Sequence, residues 1–456
     1  NKKLMKRLLF IFMVGLAFVS SNECFAAIAS GTSGTCRWEI SDDGTLTVQP
    51  ENGDEGKLTS WWGYSSVPWY NHREKIKKAV FKKKIIATKC RDLFYECSNL
   101  ESVDFGNFVT SNVTDMAFMF HKCRKLKNLD LSMFDTKNVT TMESMFQYCN
   151  SLKTVDVTGF NTSKVTTMSW MFNKCESLTK LDVSKFNTSN VTNMRAMFCD
   201  CWLLSKIDVS KFNTGNVTNM RSMFYKCKKL TSIDVSKFNT SKVKDISHMF
   251  NRCASLVSID LSNFDTSEVT NMNSMFDSCI VIKSIDISNF NTCKVDTMLD
   301  LFRECKALKT LNLSKLNTSN VKVVTGMFRD CVNLTTLNIS NFSTTQARDV
   351  DYLFTNCKKL TSITSNASTP SSLKDNTFST LPTIGKCTLS CPSASKSKYK
   401  KADGWKHLFP STTGIEEIEV ASDVQQPSSI FSTNGTRLSA PRKGINIIGG
   451  KKVIVR

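Results

Sequence analysis

Between residues 97 and 361 apolar and polar positions recur with a period of 26. In the unit that begins at Cys175, apolar side chains fall at Leu178, Leu181, Val183, Phe186, Val191, Met194, Met197 and Phe198, before Cys201 and Leu204 open the next. Leu181 and Val183 flank Asp182 at strand spacing, which sends the aspartate to the other face. Asn187-Thr188-Ser189-Asn190 supplies turn formers. From Val191 to Leu204 the apolar positions step by 3, 3, 1, 3 and 3. That is one face of a helix or of short tight helical turns. Each unit therefore reads as a short strand, a turn and a helical segment that returns to the next strand.

The repeat is marked most clearly by cysteine. Eleven of the 18 Cys, from Cys97 to Cys357, are spaced by 26, and a Phe stands three residues before each of them. Fifteen of the 18 Met also fall at two repeat positions. No single unit can bury its apolar side, so the units must stack into one continuous core. The expected fold is an α/β solenoid. It is a leucine-rich-repeat-like right-handed coil of 26-residue units with a parallel sheet, an N-terminal cap and a small C-terminal all-β module. With strands about 4.8 Å apart, ten coils give a sheet roughly 50 Å long. One Cys per coil at an inward position reads as a row of buried thiols. Cys36 with Cys90, and Cys387 with Cys391, remain open as disulfide pairs.

The flanks divide the rest of the chain. Lys2, Lys3, Lys6 and Arg7 precede the apolar stretch Leu8 to Val19, so 1–29 reads as a signal peptide with cleavage after Ala26 or Ala29. No membrane span remains once it is removed. Residues 30–96 read as an N-terminal cap, with a hairpin around Asp43-Gly44, an aromatic cluster and a degenerate first coil. The repeats occupy 97–361. Residues 362–410 form a basic, Ser/Thr/Pro-rich linker and terminal cap, and 411–456 a C-terminal β module with strands at 418–420, 429–431, 444–448 and 452–455.

Candidate chemistry lies on the polar side of the strands. Asp104, Asp130, Asp156, Asp182, Asp208, Asp234, Asp260 and Asp286 stand in register, and the row ends in Asn312, Asn338 and Thr364. Eight carboxylates near 5 Å apart repel by about 0.8 kcal/mol per neighbouring pair in bulk water. Lys185, Lys211 and Lys237 can screen them, or backbone N–H groups of the turn can bind them. The candidate ligand-binding residues are Asp156, Asp182, Ser184, Asp208, Ser210, Asp234, Ser236 and Asp260. Trp61, Trp62 and Trp69 are candidates for stacking on a glycan. The Asn187-Thr188 pair, repeated in most coils, serves either a plain turn or bonds between coils. The four His occupy unrelated contexts, no glycine-rich phosphate loop is present, and the paired carboxylates are too symmetric to supply a distinct acid and base. The expectation is no enzyme, no cofactor and no metal. Of the net charge of +20, thirteen lies in 71–96 and 357–410, with no basic stripe along the repeats, which argues against nucleic acid.

The run Leu178-x-x-Leu181-Asp182-Val183-Ser184-x-Phe186-Asn187-Thr188-Ser189-x-Val191-x-x-Met194-x-x-Met197-Phe198-x-x-Cys201 resembles the BspA-like leucine-rich repeat of bacterial surface proteins. The tail, from Phe431 to Val453, is similar to C-terminal modules of secreted proteins from Bacteroidetes-type bacteria. The resemblance implies a secreted or outer-surface adhesin that binds host extracellular matrix or bacterial surface proteins through a long repeat surface. A structural cell-surface component, or a glycan-binding module at the N-terminal tryptophans, are the alternatives.

Overall fold

In a computed structural model, the described residues are 27–378, 381, 386–409 and, further on, 415–416, 430–432, 436–439, 444–448 and 451–455. The expected signal before Ala27 and the strand expected at 418–420 lie outside them.

The N-terminal cap starts as a meander. Strands β1 (Ala27–Ser33), β2 (Cys36–Ser41) and β3 (Thr45–Pro50) pair antiparallel, and Gly44, at φ 86°, makes the hairpin turn before Thr45. A short β4 (Glu55–Lys57) follows, and then β5 (Lys78–Phe81) pairs parallel with β3 and hands the sheet on to the solenoid. β5 and β6 (Lys84–Ile86) pair in turn with β7 (Ser102–Asp104) and β8 (Asn107–Val109), so 76–86 is a coil of the stack in all but sequence.

Each later coil buries the residues its pattern marks. Val191, Met194, Met197, Phe198, Cys201 and Leu204 are all fully buried. The stacked Phe rings run from Phe94 to Phe378 with centroids 5.0 to 6.1 Å apart. The thiols are more than fillers. From Cys123 to Cys357, each Sγ–H donates to the carbonyl of the Phe 29 residues earlier, at 3.0 to 3.3 Å. The described cysteines are unpaired, including Cys36, Cys90, Cys387 and Cys391, so neither open disulfide forms.

Of the two readings of the 3, 3, 1, 3, 3 pattern, tight turns form and an α-helix does not. In the coil at 168–175, the N–H groups of Met171, Asn173 and Cys175 close local turns onto Met168, Trp170 and Phe172. The alternate N–H groups, of Met168, Trp170, Phe172 and Lys174, instead reach the carbonyls of Asn193, Arg195, Met197 and Cys199 in the next coil, at 2.8 to 3.1 Å. A helix would turn every N–H inward along its own axis. Here half of them join coils, and this ladder, four bonds per coil, is the main seam of the stack.

The expected parallel sheet along the Asp row is present at the two ends. β9 (Asn128–Leu129) pairs with β10 (Thr154–Val155), and β11 (Thr310–Asn312), β12 (Thr336–Asn338), β13 (Ser362–Thr364) and β14 (Thr388–Ser390) pair in sequence order. Between 180 and 287 no strand forms. The sheet is therefore not continuous over ten coils, and the turn ladder carries the middle.

Residues 362–409 close the far end. Phe378 stacks on Phe354 at 5.0 Å, and Tyr399, on helix α1 (Lys396–Lys401), packs edge-on against the buried Trp405. The C-terminal module holds β15 (Ile415–Glu416), β16 (Ile430–Ser432), β17 (Arg437–Leu438), β18 (Gly444–Ile448) and β19 (Lys451–Val455). They form one sheet in the order β15-β19-β18-β16-β17, antiparallel except where β15 meets β19.

Candidate functional site

Two long faces of the stack are open, and the sequence treats them differently. On the first, the eight aspartates from Asp104 to Asp286 are all exposed. Each caps the turn that follows. Asp182 Oδ1 accepts from the Ser184 N–H at 2.9 Å and from its hydroxyl at 2.6 Å, and Asp208 with Ser210 and Asp234 with Ser236 repeat the motif. Asp156 uses Thr158 in the same way, and Asp260 takes the Ser262 N–H. This Asx turn explains why the row relaxes to Asn312 and Asn338, whose amide oxygens accept the same bonds from Ser314 and Ser340. The Ser184 hydroxyl and N–H, with Lys185 and Lys211 adding less, hold the Asp182 carboxyl below the usual carboxylate range.

Two shallow depressions lie along this face. One, of about 810 Å³, is lined by Leu129, Val155 and the carboxylates of Asp130 and Asp156. The other, of about 730 Å³, is lined by Leu181, Ile207, Ile233 and the carboxylates of Asp208 and Asp234, and both share Lys180 and Asp182. The structure thus brings the predicted aspartates and serines together on one surface.

The Asn-Thr pair divides the two roles left open for it. Asn187 Oδ1 accepts from the Ser189 N–H within the turn, while the buried Thr188 hydroxyl donates to the Asn213 carbonyl in the next coil at 2.9 Å. The threonine clamp recurs from Thr110 to Thr318 once every 26 residues, each bond reaching 25 residues ahead.

The three tryptophans do not share a surface. Trp61 and Trp69 are 3% and 0% exposed, and their indole N–H groups donate to the carbonyls of Arg91 and Leu93. Those carbonyls belong to the first coil of the turn ladder and have no earlier coil to bond. Trp62 is 89% exposed, with Lys89 Nζ 3.6 Å from its ring centroid. A hollow of about 470 Å³ lies beside it, lined also by Trp38 and Ser66.

The second face is the outside of the turns, and the sequence reading missed it. It carries 21 of the 22 non-glycine residues with positive φ, ten at the position of Phe118 and eleven at that of Lys122. Bulky residues rarely adopt this conformation, which costs of order 1–3 kcal/mol. Gly326 and Asn356 are the residues such positions favour, yet the chain also places Phe118, Tyr148 and Trp170 there. Cations lie over these and neighbouring rings: Arg195 over Trp170 at 5.1 Å, Lys174 over Tyr148 at 4.8 Å, and Lys228 over Trp202 at 4.0 Å. Near its N-terminal edge, burial pushes the Asp92 carboxyl up to about 6 and the His121 imidazole down to about 4. The signal that would have found this face is its variation from coil to coil beside an almost invariant Asp row.

Among the described residues no group of three or more His, Cys, Asp or Glu is placed to hold a metal ion. His407 pairs with Asp375 at 2.9 Å. No helix of the described residues is long and apolar enough to cross a membrane.

The family model described as "Mycoplasma protein of unknown function, DUF285" matches residues 88–201, 178–285 and 281–379. The curated proteins contain no match. Among solved structures, the chain is similar to a leucine-rich repeat protein from Eubacterium ventriosum, with 14% identity over 65% of this chain and 99% of that one, at a TM-score of 0.29. A leucine-rich cell surface protein from Faecalibacterium prausnitzii matches at 17% identity over 75% and 96%, with a TM-score of 0.35. The pneumococcal vaccine antigen PcpA matches at 13% identity over 82% and 96%, also with a TM-score of 0.35.

Proposed function

The chain belongs to the DUF285 family, and from that premise we propose that it is a secreted or cell-surface protein-binding solenoid, adhesive rather than catalytic. One observation carries the reading. The exposed carboxylates from Asp104 to Asp286 stand one per coil, and the turn bonds of Asp156, Asp182, Asp208 and Asp234 fall on Oδ1 alone. The second oxygen of each is left for a ligand, so a partner with Lys or Arg side chains would gain many weak contacts in register. Ser184, Ser210 and Ser236 hold these carboxylates in place. Host extracellular matrix and bacterial surface proteins are the proposed partners, as the resemblance to BspA-like repeats implies. The basic, apolar N-terminus supports export, and cleavage after Ala26 would leave β1 whole.

The turn geometry supplies a clean test. Asp→Asn changes at 156, 182, 208, 234 and 260 keep the turn, as Asn312 and Asn338 do, and remove the charge. Solid-phase capture of matrix proteins and of bacterial surface extracts should weaken at least about tenfold. Unchanged capture by the folded variant overturns this face as the site. Regular polymers of the purified protein, with no captured ligand, would favour a structural surface component instead.

A further inference from the structure

We propose that the outer turn face of the coils between 117 and 229 is a second docking surface, for an acidic protein segment that carries apolar side chains. It rests on the reading of the chain as a protein-binding solenoid, but it names a different face and the opposite charge of partner.

Backbone conformation comes first. Phe118, Tyr148 and Trp170 hold φ values of 58°, 63° and 61°. Folding alone would favour glycine or asparagine there: Gly326 shows that a coil of this stack accepts glycine at the position of Phe118 and Trp170, and Asn356 stands at that of Tyr148. Large rings persist at a conformational cost, so they serve something other than the turn. They are half-buried: Phe118 meets Tyr95 and Tyr148 meets His121 of the coil before, and Arg195 of the next coil lies over Trp170. Trp, Tyr and Arg are the side chains that dominate protein–protein interfaces, and a cation over a ring face is attracted to it.

Charge selects the partner. Positions 117, 118, 121, 122, 124 and 125, with their equivalents in the next four coils, carry nine Lys or Arg against three Asp or Glu. The same positions in the three coils from 273 carry three against four. The basic surplus lies in the first and last of these five coils, with Lys122, Arg124 and Lys125 beside Phe118 and Arg221, Lys226, Lys228 and Lys229 beside Tyr225, while the three coils between them carry two Lys or Arg against three Asp or Glu. The Asp face is nearly identical from coil to coil and suits a regular partner, whereas this face differs in every coil and suits one particular sequence.

The test uses the full chain and a fluorescent Glu/Tyr copolymer as the probe, with heparin and single-stranded oligothymidylate as competitors. The triple change Phe118→Gly, Tyr148→Gly, Trp170→Gly should weaken copolymer binding at least about tenfold while the melting temperature holds or rises. Asp→Asn changes at 156, 182 and 208 should leave copolymer binding undiminished, which separates this face from the first. If the glycine variant does not fold, charge reversal at Arg124, Lys174 and Arg195 decides, with loss of binding expected. Copolymer binding by the glycine or charge-reversed protein at the original strength overturns the proposal. So does an equal loss in the Asp→Asn protein, or displacement of the copolymer by either competitor at tenfold lower concentration.

Discussion

The coils at 180–287 and those at 310–390 are built on one pattern, yet their Asp-side backbones behave differently. At the C-terminal end, Asn312 stands opposite Asn338, Asn338 opposite Thr364, and Thr364 opposite Ser390, within paired strands. There the Leu313 N–H reaches the Asn338 carbonyl at 2.8 Å, and Ile339 reaches Thr364 at the same distance. In the middle, where Asp182 to Asp286 follow one another, the corresponding strands are absent. The other positions change little between the two regions. The row residue loses its charge, and magnitudes suggest why that suffices. Two exposed carboxylates near 5 Å repel by about 0.8 kcal/mol. A backbone hydrogen bond contributes a net of about 1 kcal/mol. One term nearly cancels the other, so a single charge per coil decides whether the strands close. At the N-terminal side the pairing of β9 with β10 likewise stops at Leu129 and Val155, one residue short of Asp130 and Asp156.

This contrast can be broken or sharpened in order of expected effect. Phe198→Ala, in the open middle, and Phe328→Ala, at the closed end, each remove a stacked ring and should cost about 3–5 kcal/mol. The middle variant should also split calorimetric unfolding into two transitions, because the turn ladder there has no strand pairing to back it. A single cooperative transition for both would show that the open region is not the weaker seam. Thr214→Val strands two groups, the Asn239 carbonyl and the Asn239 N–H, each bonded to the Thr214 hydroxyl. It should cost about 1–3 kcal/mol in denaturant titration, and Thr318→Val, in the closed region, should disturb fewer neighbouring amides.

A smaller change targets the charge itself. Asp→Asn at 182, 208 and 234 relieves about 0.8 kcal/mol per neighbouring pair. Amides of Val183 and Val209 should then gain protection from hydrogen exchange, and the reverse pair, Asn312→Asp with Asn338→Asp, should strip it from Leu313. Protection that ignores the swap would put the cause elsewhere than in charge. Acid gives the mildest probe. The Asp130 to Asp286 carboxyls sit below their usual range, held there by the hydroxyl and N–H of the following Ser or Thr. Their contribution is present above the unfolded value of about 3.9 and is lost as pH falls through the lower folded values. Exchange corrected for intrinsic rate should show the turn amides of Ser184, Ser210 and Ser236 losing protection as pH falls, with the Asn coils unaffected by this term.

The 26-residue unit and its core were legible in the sequence because burial selects residue type at fixed spacing, and the N-terminal cap because the period fails there. Phe198, Met197, Cys201 and Leu204 all went where their spacing put them. The aspartate's turn bond was one of two readings left open, and the Asn-Thr pair turned out to hold both of its readings at once. What could not be read depends on backbone conformation that side chains do not announce. A step of 3, 3, 1, 3 and 3 fits a helix and a run of tight turns equally. Phe118, Trp170 and Lys174 are not residues that mark a left-handed position. The gap in the sheet escaped too, because it depends on a balance of two terms each near 1 kcal/mol. Trp61 and Trp69 fit the cap reading of the aromatic cluster rather than the glycan one, though nothing in the sequence revealed the two carbonyls waiting behind them.

Those two indoles have a consequence for the whole molecule. Along the turn ladder every inter-coil bond points the same way, N–H toward the C-terminal neighbour and carbonyl toward the N-terminal one. The ladder is polar like a bar magnet, with acceptors bared at one pole and donors at the other, as in a helix but perpendicular to the chain, although bonds beside it, such as Thr140 N–H to Thr114 and Lys153 N–H to Lys127, run the other way. Where they cover this ladder the two lids are therefore not interchangeable: the front lid must give hydrogens there and the rear lid must take them. Coils can be duplicated or deleted between the poles without altering this, so the length of the protein is free to drift while its direction is locked.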